Sequence, residues 1–213
     1  PRAQLDAFAE AARAAARRMY PQLAENPQYA SIVSERHYQR LARLREDAVA
    51  AGARAIPLDE GGDRPSQRRL MPTLLVGVDD AQAVMQEEIF GPLLPLVPYE
   101  HIDEALAYVA DRPHPLALYL FEQDPTLVRR VLDGSIAGGV TVNDTLYHIA
   151  QHGLPFGGVG PSGMGGYHGE AGFQAFSHLK PVFHQARLNG TGLLAPPYGA
   201  RFRRMLELLL KHG

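Results

Sequence analysis

The chain has 213 residues, 46% of them apolar, enough for one generous domain or two small ones around a packed core. Its 21 lysines and arginines stand against 23 acids, and no apolar run approaches the roughly 18 residues that span a bilayer, so neither nucleic acid nor a membrane is expected as a partner. The absence of cysteine removes disulfides, thiolate metal sites and a thiol nucleophile from the chemistry these residues can run by themselves.

The first residues, from Pro1 onward, lack the apolar core and small-residue cleavage site of a signal peptide, and the expectation is a chain that begins inside a larger polypeptide. Leu5, Phe8, Ala9, Ala12, Ala16 and Met19 recur at helical spacing, and Tyr38, Leu41, Leu44 and Ala48 form the stripe of a second helix over 35–52. ARAIPLD (53–59) reads as a strand, GGDRPSQ (61–67) as a turn, and LMPTLLVGV (70–78) as a strand ending before the helical DDAQAVMQEE (79–88), with Asp79 or Asp80 as its cap. LLPLVPY (93–99) is a strand, and IDEALAYVA places Ile102, Ala105, Leu106, Val109 and Ala110 on one helix face. LALYLF (116–121) is again a strand, followed by a helix carrying Leu127, Val128, Val131 and Leu132 and by the strand GGVTVN (138–143). PVFHQ (181–185) reads as a last strand, and Phe202, Met205, Leu206 and Leu209 line a terminal amphipathic helix.

Strands alternating with helices over short connections predict an α/β fold, a largely parallel open sheet with helices on both faces. In such sheets ligands meet the loops beyond the carboxyl ends of the strands, which makes the residues just after 121 and 143 natural site positions. Asn143 and Asp144 lie there, and either a polar role toward ligand or a turn-forming pair is consistent with them. Nine of the twenty residues 153–172 are glycine, so that segment must be held by backbone contacts or by close packing.

Three motifs invite chemistry. GVGPSG (158–163) matches G-x-G-x-x-G, but no strand precedes it, no helix opens from it, and no acid occurs between Ala171 and Leu206, so the dinucleotide fingerprint is rejected. HIAQH sets His148 and His152 at i and i+4, yet lacks the glutamate of the zincin pattern; hydrogen-bonded loop histidines are expected, with no metal. EEIFGPLL (87–94) puts Glu87 and Glu88 at a predicted helix end, where the dipole disfavours exposed acids by roughly 0.3–1 kcal/mol each. One reading of Gly91 and Pro92 there is a plain helix stop with solvated acids. The functional reading is a carboxylate whose two oxygens take a ribose diol, with the ring of Phe90 covering a flat heterocycle.

Taken together, EEIFGPLLPL, GGVTVND and LPFGGVGPSGMGGYHGEAGFQAFSH resemble the aldehyde dehydrogenase superfamily, and LPFGGVGPSGMGGYHG is similar to its class 3 branch, which includes the coniferyl aldehyde dehydrogenases. The resemblance covers nearly the whole chain. It implies that Glu88 binds the nicotinamide ribose of NAD or NADP, that Phe90 packs by the nicotinamide, that Phe156 lies near the aldehyde pocket, and that Asn143 supports the catalytic loop region. It further implies oxidation of an aldehyde, aromatic or medium-chain, through a cysteine thiohemiacetal and thioester. The cysteine and the general-base glutamate are expected upstream of Pro1, so no catalytic residue is assigned within the chain, which by itself is expected to oxidise nothing. Residues 1–179 then form a catalytic-domain portion, 180–186 an oligomerisation strand of a cytoplasmic homodimer, and 187–213 a tail. A noncatalytic half-protein serving as a binding or dimerisation module is the alternative, and an acyl-phosphate reductase of shared ancestry is a third.

Overall fold

Leu74 and Leu75 are neighbours in one strand, both are buried, and each lands in a different core. The side-chain period of two along an extended chain sends them to opposite faces of the sheet, and the rest of the first half of the molecule is arranged around that division. The computed structural model describes residues 1–212. Helices α1 (Leu5–Met19) and α2 (Glu35–Ala50) come first, then strands β1 (Arg54–Pro57) and β2 (Thr73–Val76), the one-turn helix α3 (Ala83–Gln86) and strand β3 (Leu93–Leu96). They are followed by α4 (Ile102–Ala110), β4 (Ala117–Leu120), α5 (Pro125–Gly134), β5 (Gly139–Val142), α6 (Tyr147–Ala150), α7 (Gly169–Ala175) and α8 (Ala200–His212).

The fold is α/β. One sheet has the order β1-β2-β3, and α1 covers one of its faces through Ala9 against Ile56 and Leu74. The other face carries α2, whose Tyr38, Leu41, Leu44 and Ala48 pack with Leu75, Leu93 and Val84 of α3. Ser34 caps α2 by accepting from the backbone N–H of His37 at 3.2 Å. A second sheet pairs β4 with β5 in parallel, Ala117 beside Gly139. α5 crosses between them, starting on Pro125 with the Asp124 carboxylate accepting from the N–H of Thr126. Asp80, before α3, holds α4 by accepting from the Tyr108 hydroxyl at 2.5 Å and from Arg112. Those hydrogen bonds, that from Tyr108 foremost, keep its carboxyl below the usual carboxylate range.

Several expectations are corrected. The described ladders are largely parallel, β2–β3 and β4–β5 pairing in parallel in two separate sheets, but β1 departs from the pattern and runs antiparallel to β2. The cause lies in residues 58–72, which hold only a short 3-10 turn at Pro65–Gln67; without a crossover helix the chain reverses directly. The helix expected over 79–88 shrinks to Ala83–Gln86. The Asp79 side chain accepts from the N–H of Ala81, and the Gln86 amide donates to the carbonyl of Asp80, so side chains satisfy the backbone before and around the single turn. Residues 181–185 form no strand within the single chain, and Val182 and Phe183 are exposed. Among the described residues no helix is long and apolar enough to cross a membrane.

A third cluster closes the base of α1, where Leu23, Ala24 and Met71 pack with Tyr20 and Tyr29. The Tyr29 hydroxyl donates to the carbonyl of Leu70 at 2.6 Å, and burial, then the nearby charge of Asp63, push its pKa up to about 12. An unfolded tyrosine titrates near ~10. A phenol held protonated more tightly in the folded chain contributes stability that is intact below about pH 10 and lost as pH rises through about 12. Urea midpoints followed across that range are expected to fall more steeply for the natural chain than for Tyr29→Phe; identical slopes would remove Tyr29 from the alkaline transition.

Candidate functional site

Residues 87–91 leave the end of α3 as a turn that the face of α2 holds in place. Glu87 is extended (φ −108°, ψ 149°) and its carboxylate accepts from Arg40 Nη1 at 3.1 Å. The second arm of the same guanidinium, Nη2, donates to the carbonyl of Ile89 at 2.5 Å. One residue on, the carbonyl of Phe90 lies 2.9 Å from His37 Nε2. A carbonyl has no proton to give, so Nε2 is the donor. The imidazole also meets the Phe90 ring edge-on, with centroids 6.1 Å apart. Leu41 completes the contact: a Cβ placed on Gly91 would lie 2.5 and 2.6 Å from its two methyl carbons, and Leu41 is fully buried.

These contacts sustain an uncommon backbone. Phe90 has φ 48°, the left-handed region, where a bulky side chain is an outlier that persists only when its surroundings over-determine it. The result is an exposed Glu88 carboxylate, with no hydrogen bond or ion pair among the described residues, beside a phenylalanine ring that is 74% exposed. A depression of about 370 Å³ lies alongside, lined by Val33, Ser34, Arg36, His37, Arg40 and Phe90. The two acids sit beyond a single helical turn, and Arg40 offsets the charge of one of them.

Asn143, at the end of β5, is also left-handed (φ 59°), a state asparagine tolerates better than most residues. Its Oδ1 accepts from the N–H of Glu122 and its Nδ2 donates to the carbonyl of Glu122, both at 2.9 Å. The side-chain amide thus ties the loop after β4 to the loop after β5.

Phe156 is half-buried within an aromatic group that sequence reasoning did not assemble. It exchanges backbone hydrogen bonds with Tyr167, whose ring meets it edge-on at 5.4 Å, and it stacks on His168 at 6.1 Å. His148, buried beneath, lies 6.0 Å from Phe156 and pairs its Nδ1 with the Thr141 hydroxyl at 2.9 Å. The glycine-rich segment is held backbone on backbone: a Cβ on Gly157 would lie 2.0 Å from the carbonyl oxygen of Gly165. GVGPSG contains a 3-10 turn, Gly160–Ser162, and opens no α-helix. His148 is in α6 and His152 beyond it, and among the described residues no group of three potential ligands could hold a metal. No hydrogen bond or ring contact among the described residues joins the turn at 87–91 to Asn143 or Phe156. His37 and Arg40 are the other residues the sequence did not announce. Their only local signal is a spacing of three within ERHYQR, which puts both on one helix face.

Comparison with known proteins bears on residues 2–182, which match the family model described as the aldehyde dehydrogenase family. The chain is 44% identical over 215 residues to the coniferyl aldehyde dehydrogenase of a Pseudomonas species, covering 99% of this chain and 44% of that relative. It spans less than half the length of that protein. Among solved structures it is similar to a substrate-bound state of AldH from Staphylococcus aureus (TM-score 0.79, 40% identity, 97% of this chain and 44% of the other). It is also similar to a mutant aldehyde dehydrogenase C of Pseudomonas syringae in complex with NAD+ and octanal (TM-score 0.67, 30% identity, 83% and 36%).

Because a Cβ on Gly91 would press on the fully buried Leu41 side chain and force it to shift, Gly91→Ala is expected to destabilise the chain by about 1–3 kcal/mol, the usual range for overpacking. The check is a lower urea midpoint at unchanged slope; a midpoint equal to that of the natural chain would show that the turn does not need its close approach to α2.

Proposed function

The chain belongs to the aldehyde dehydrogenase family, and from that premise we propose that residues 87–91 form the part of a nicotinamide dinucleotide site that meets the ribose beside the reacting ring. The observation that carries the reading is the exposed carboxylate of Glu88, without a partner among the described residues, next to the exposed ring of Phe90 in a turn held by other side chains. A carboxylate offers two acceptor oxygens to the two hydroxyls of a ribose, and an aromatic face left uncovered by protein suits a flat heterocycle. These residues fit NAD or NADP in that respect. The dinucleotide, when bound, supplies a hydride acceptor. Glu88 binds and orients the sugar, and Phe90 limits where the ring can lie.

On this reading the whole enzyme oxidises an aldehyde to a carboxylic acid, and the relative named for coniferyl aldehyde supports an aromatic substrate. Phe156, edge-on to Tyr167, offers an aromatic wall to a flat aldehyde, and Asn143 fixes the loops beyond the strand ends. With no cysteine among the 213 residues, the thiol nucleophile comes from polypeptide outside them, and these residues alone oxidise nothing. Residues 180–186 are assigned to pairing with a partner copy. A second reading, a noncatalytic dimerisation module, draws on the exposed side chains of Phe173, Phe176, Leu179, Val182 and Phe183.

Two measurements test the reading. In a full-length enzyme carrying residues 1–213 as its carboxyl-terminal portion, Glu88→Gln is expected to raise KM for the dinucleotide about tenfold to a hundredfold, the scale of hydrogen bonds to a charged group. An unchanged KM would sink the assignment. The 213-residue chain alone is expected to show no NAD(P)-dependent aldehyde oxidation and no micromolar dinucleotide binding by titration calorimetry; either activity would contradict the division of labour proposed here.

A further inference from the structure

The turn that carries Glu88 and Phe90 is not self-supporting. Its left-handed residue is a phenylalanine, and the backbone groups on either side of that residue are satisfied by side chains from a helix about fifty positions earlier. We propose that His37 and Arg40 are positioning residues for dinucleotide binding: they act by holding the carbonyls of Phe90 and Ile89, and so fix where the Glu88 carboxylate and the Phe90 ring stand. The proposal rests on the reading of Glu88 and Phe90 as the ribose and nicotinamide contacts.

Each of the two side chains has a separable task. His37 donates from Nε2 to the carbonyl of Phe90 itself, so it acts on the strained residue directly. The planar fork of Arg40 reaches two acceptors at once, the carbonyl of Ile89 and the carboxylate of Glu87. By engaging Glu87 it also distinguishes two adjacent acids, directing one toward α2 and leaving the other without a partner among the described residues. Release of these bonds lets residue 90 return to the extended region favoured by a bulky side chain, which carries its ring and the preceding carboxylate away from their present positions. A displacement of about an ångström at a binding group is enough to lose much of its contribution.

The test uses a full-length aldehyde dehydrogenase carrying residues 1–213 as its carboxyl-terminal portion, assayed with NAD+ and an aromatic aldehyde. His37→Leu and Arg40→Met are each expected to raise KM for NAD+ about tenfold, with KM for the aldehyde within about twofold of the parent; tenfold corresponds to ~1.4 kcal/mol. His37→Gln, whose amide N–H sits close to the place of Nε2, is expected to restore KM to within about threefold, whereas Arg40→Lys, lacking the fork, restores it only in part. In the double variant His37→Leu with Glu88→Gln, KM for NAD+ is expected to be no higher than in Glu88→Gln alone, because both changes disable one unit. A merely structural role would lower the thermal midpoint and the fraction of active enzyme while leaving KM for NAD+ unmoved. Unchanged KM in both His37→Leu and Arg40→Met, beside a raised KM in Glu88→Gln, overturns the proposal and leaves the Glu88 reading intact. An unchanged KM in Glu88→Gln itself removes that reading and the proposal with it. Should His37→Leu fold poorly, His37→Asn, which keeps an amide but draws the donor back by one carbon, is expected to raise KM where His37→Gln does not.

Discussion

The capture of two consecutive carbonyls by side chains of one helix is the constraint around which the candidate site is built. Ile89 and Phe90 would otherwise present their carbonyls to water from a turn with few internal bonds, and a left-handed phenylalanine has no local reason to persist. Arg40 and His37 provide that reason at a distance, and the buried Leu41 seals it by occupying the space beside Gly91 that a side chain would need. The exposed carboxylate and ring are therefore consequences of α2 as much as of the motif that contains them.

Elsewhere the molecule holds awkward backbone by other means. At Asn143 the side chain of the left-handed residue makes its own bonds, both to Glu122. In the glycine-rich segment the hold is backbone on backbone, with Gly157 packed where no Cβ fits. The three solutions follow from residue type. Asparagine carries a donor and an acceptor, glycine permits contact, and phenylalanine can do neither and must be restrained from outside.

That difference also explains what was legible in the sequence. The five strands among the described residues lie within the segments whose apolar runs announced them, and Tyr38, Leu41, Leu44 and Ala48 are buried as their spacing requires, because period and burial are local properties of a chain. Glu88 and Phe90 could be singled out because acids beside an aromatic and Gly-Pro conflict with local preference. His37 and Arg40 could not, since their partners are 53 and 49 positions away and nothing near them is unusual. The helix read over 79–88 failed for a related reason: its apolar spacing was compatible with a helix, but Asp79 and Gln86 turn their side chains onto the backbone, a competition that periodicity does not register. The tie from Asn143 to Glu122, 21 positions earlier, left no local signal either. The antiparallel start of the sheet went unseen because alternation of strands and helices says nothing about a connection that contains no helix.

The dependence of the turn on α2 has a further physical consequence. The apolar stripe of that helix packs against Leu75, Leu93 and Val84, and this burial fixes the rotation of the helix about its own axis. Successive residues of a helix are separated by about 100°, so a rotation equivalent to one residue would swing both His37 and Arg40 away from the carbonyls they hold. The core under α2 and the exposed turn at 87–91 are thus one mechanical unit. Hydrophobic packing, which is non-directional in itself, becomes directional once a helix carries donors beside its apolar stripe, and in this chain that conversion determines where an exposed carboxylate stands.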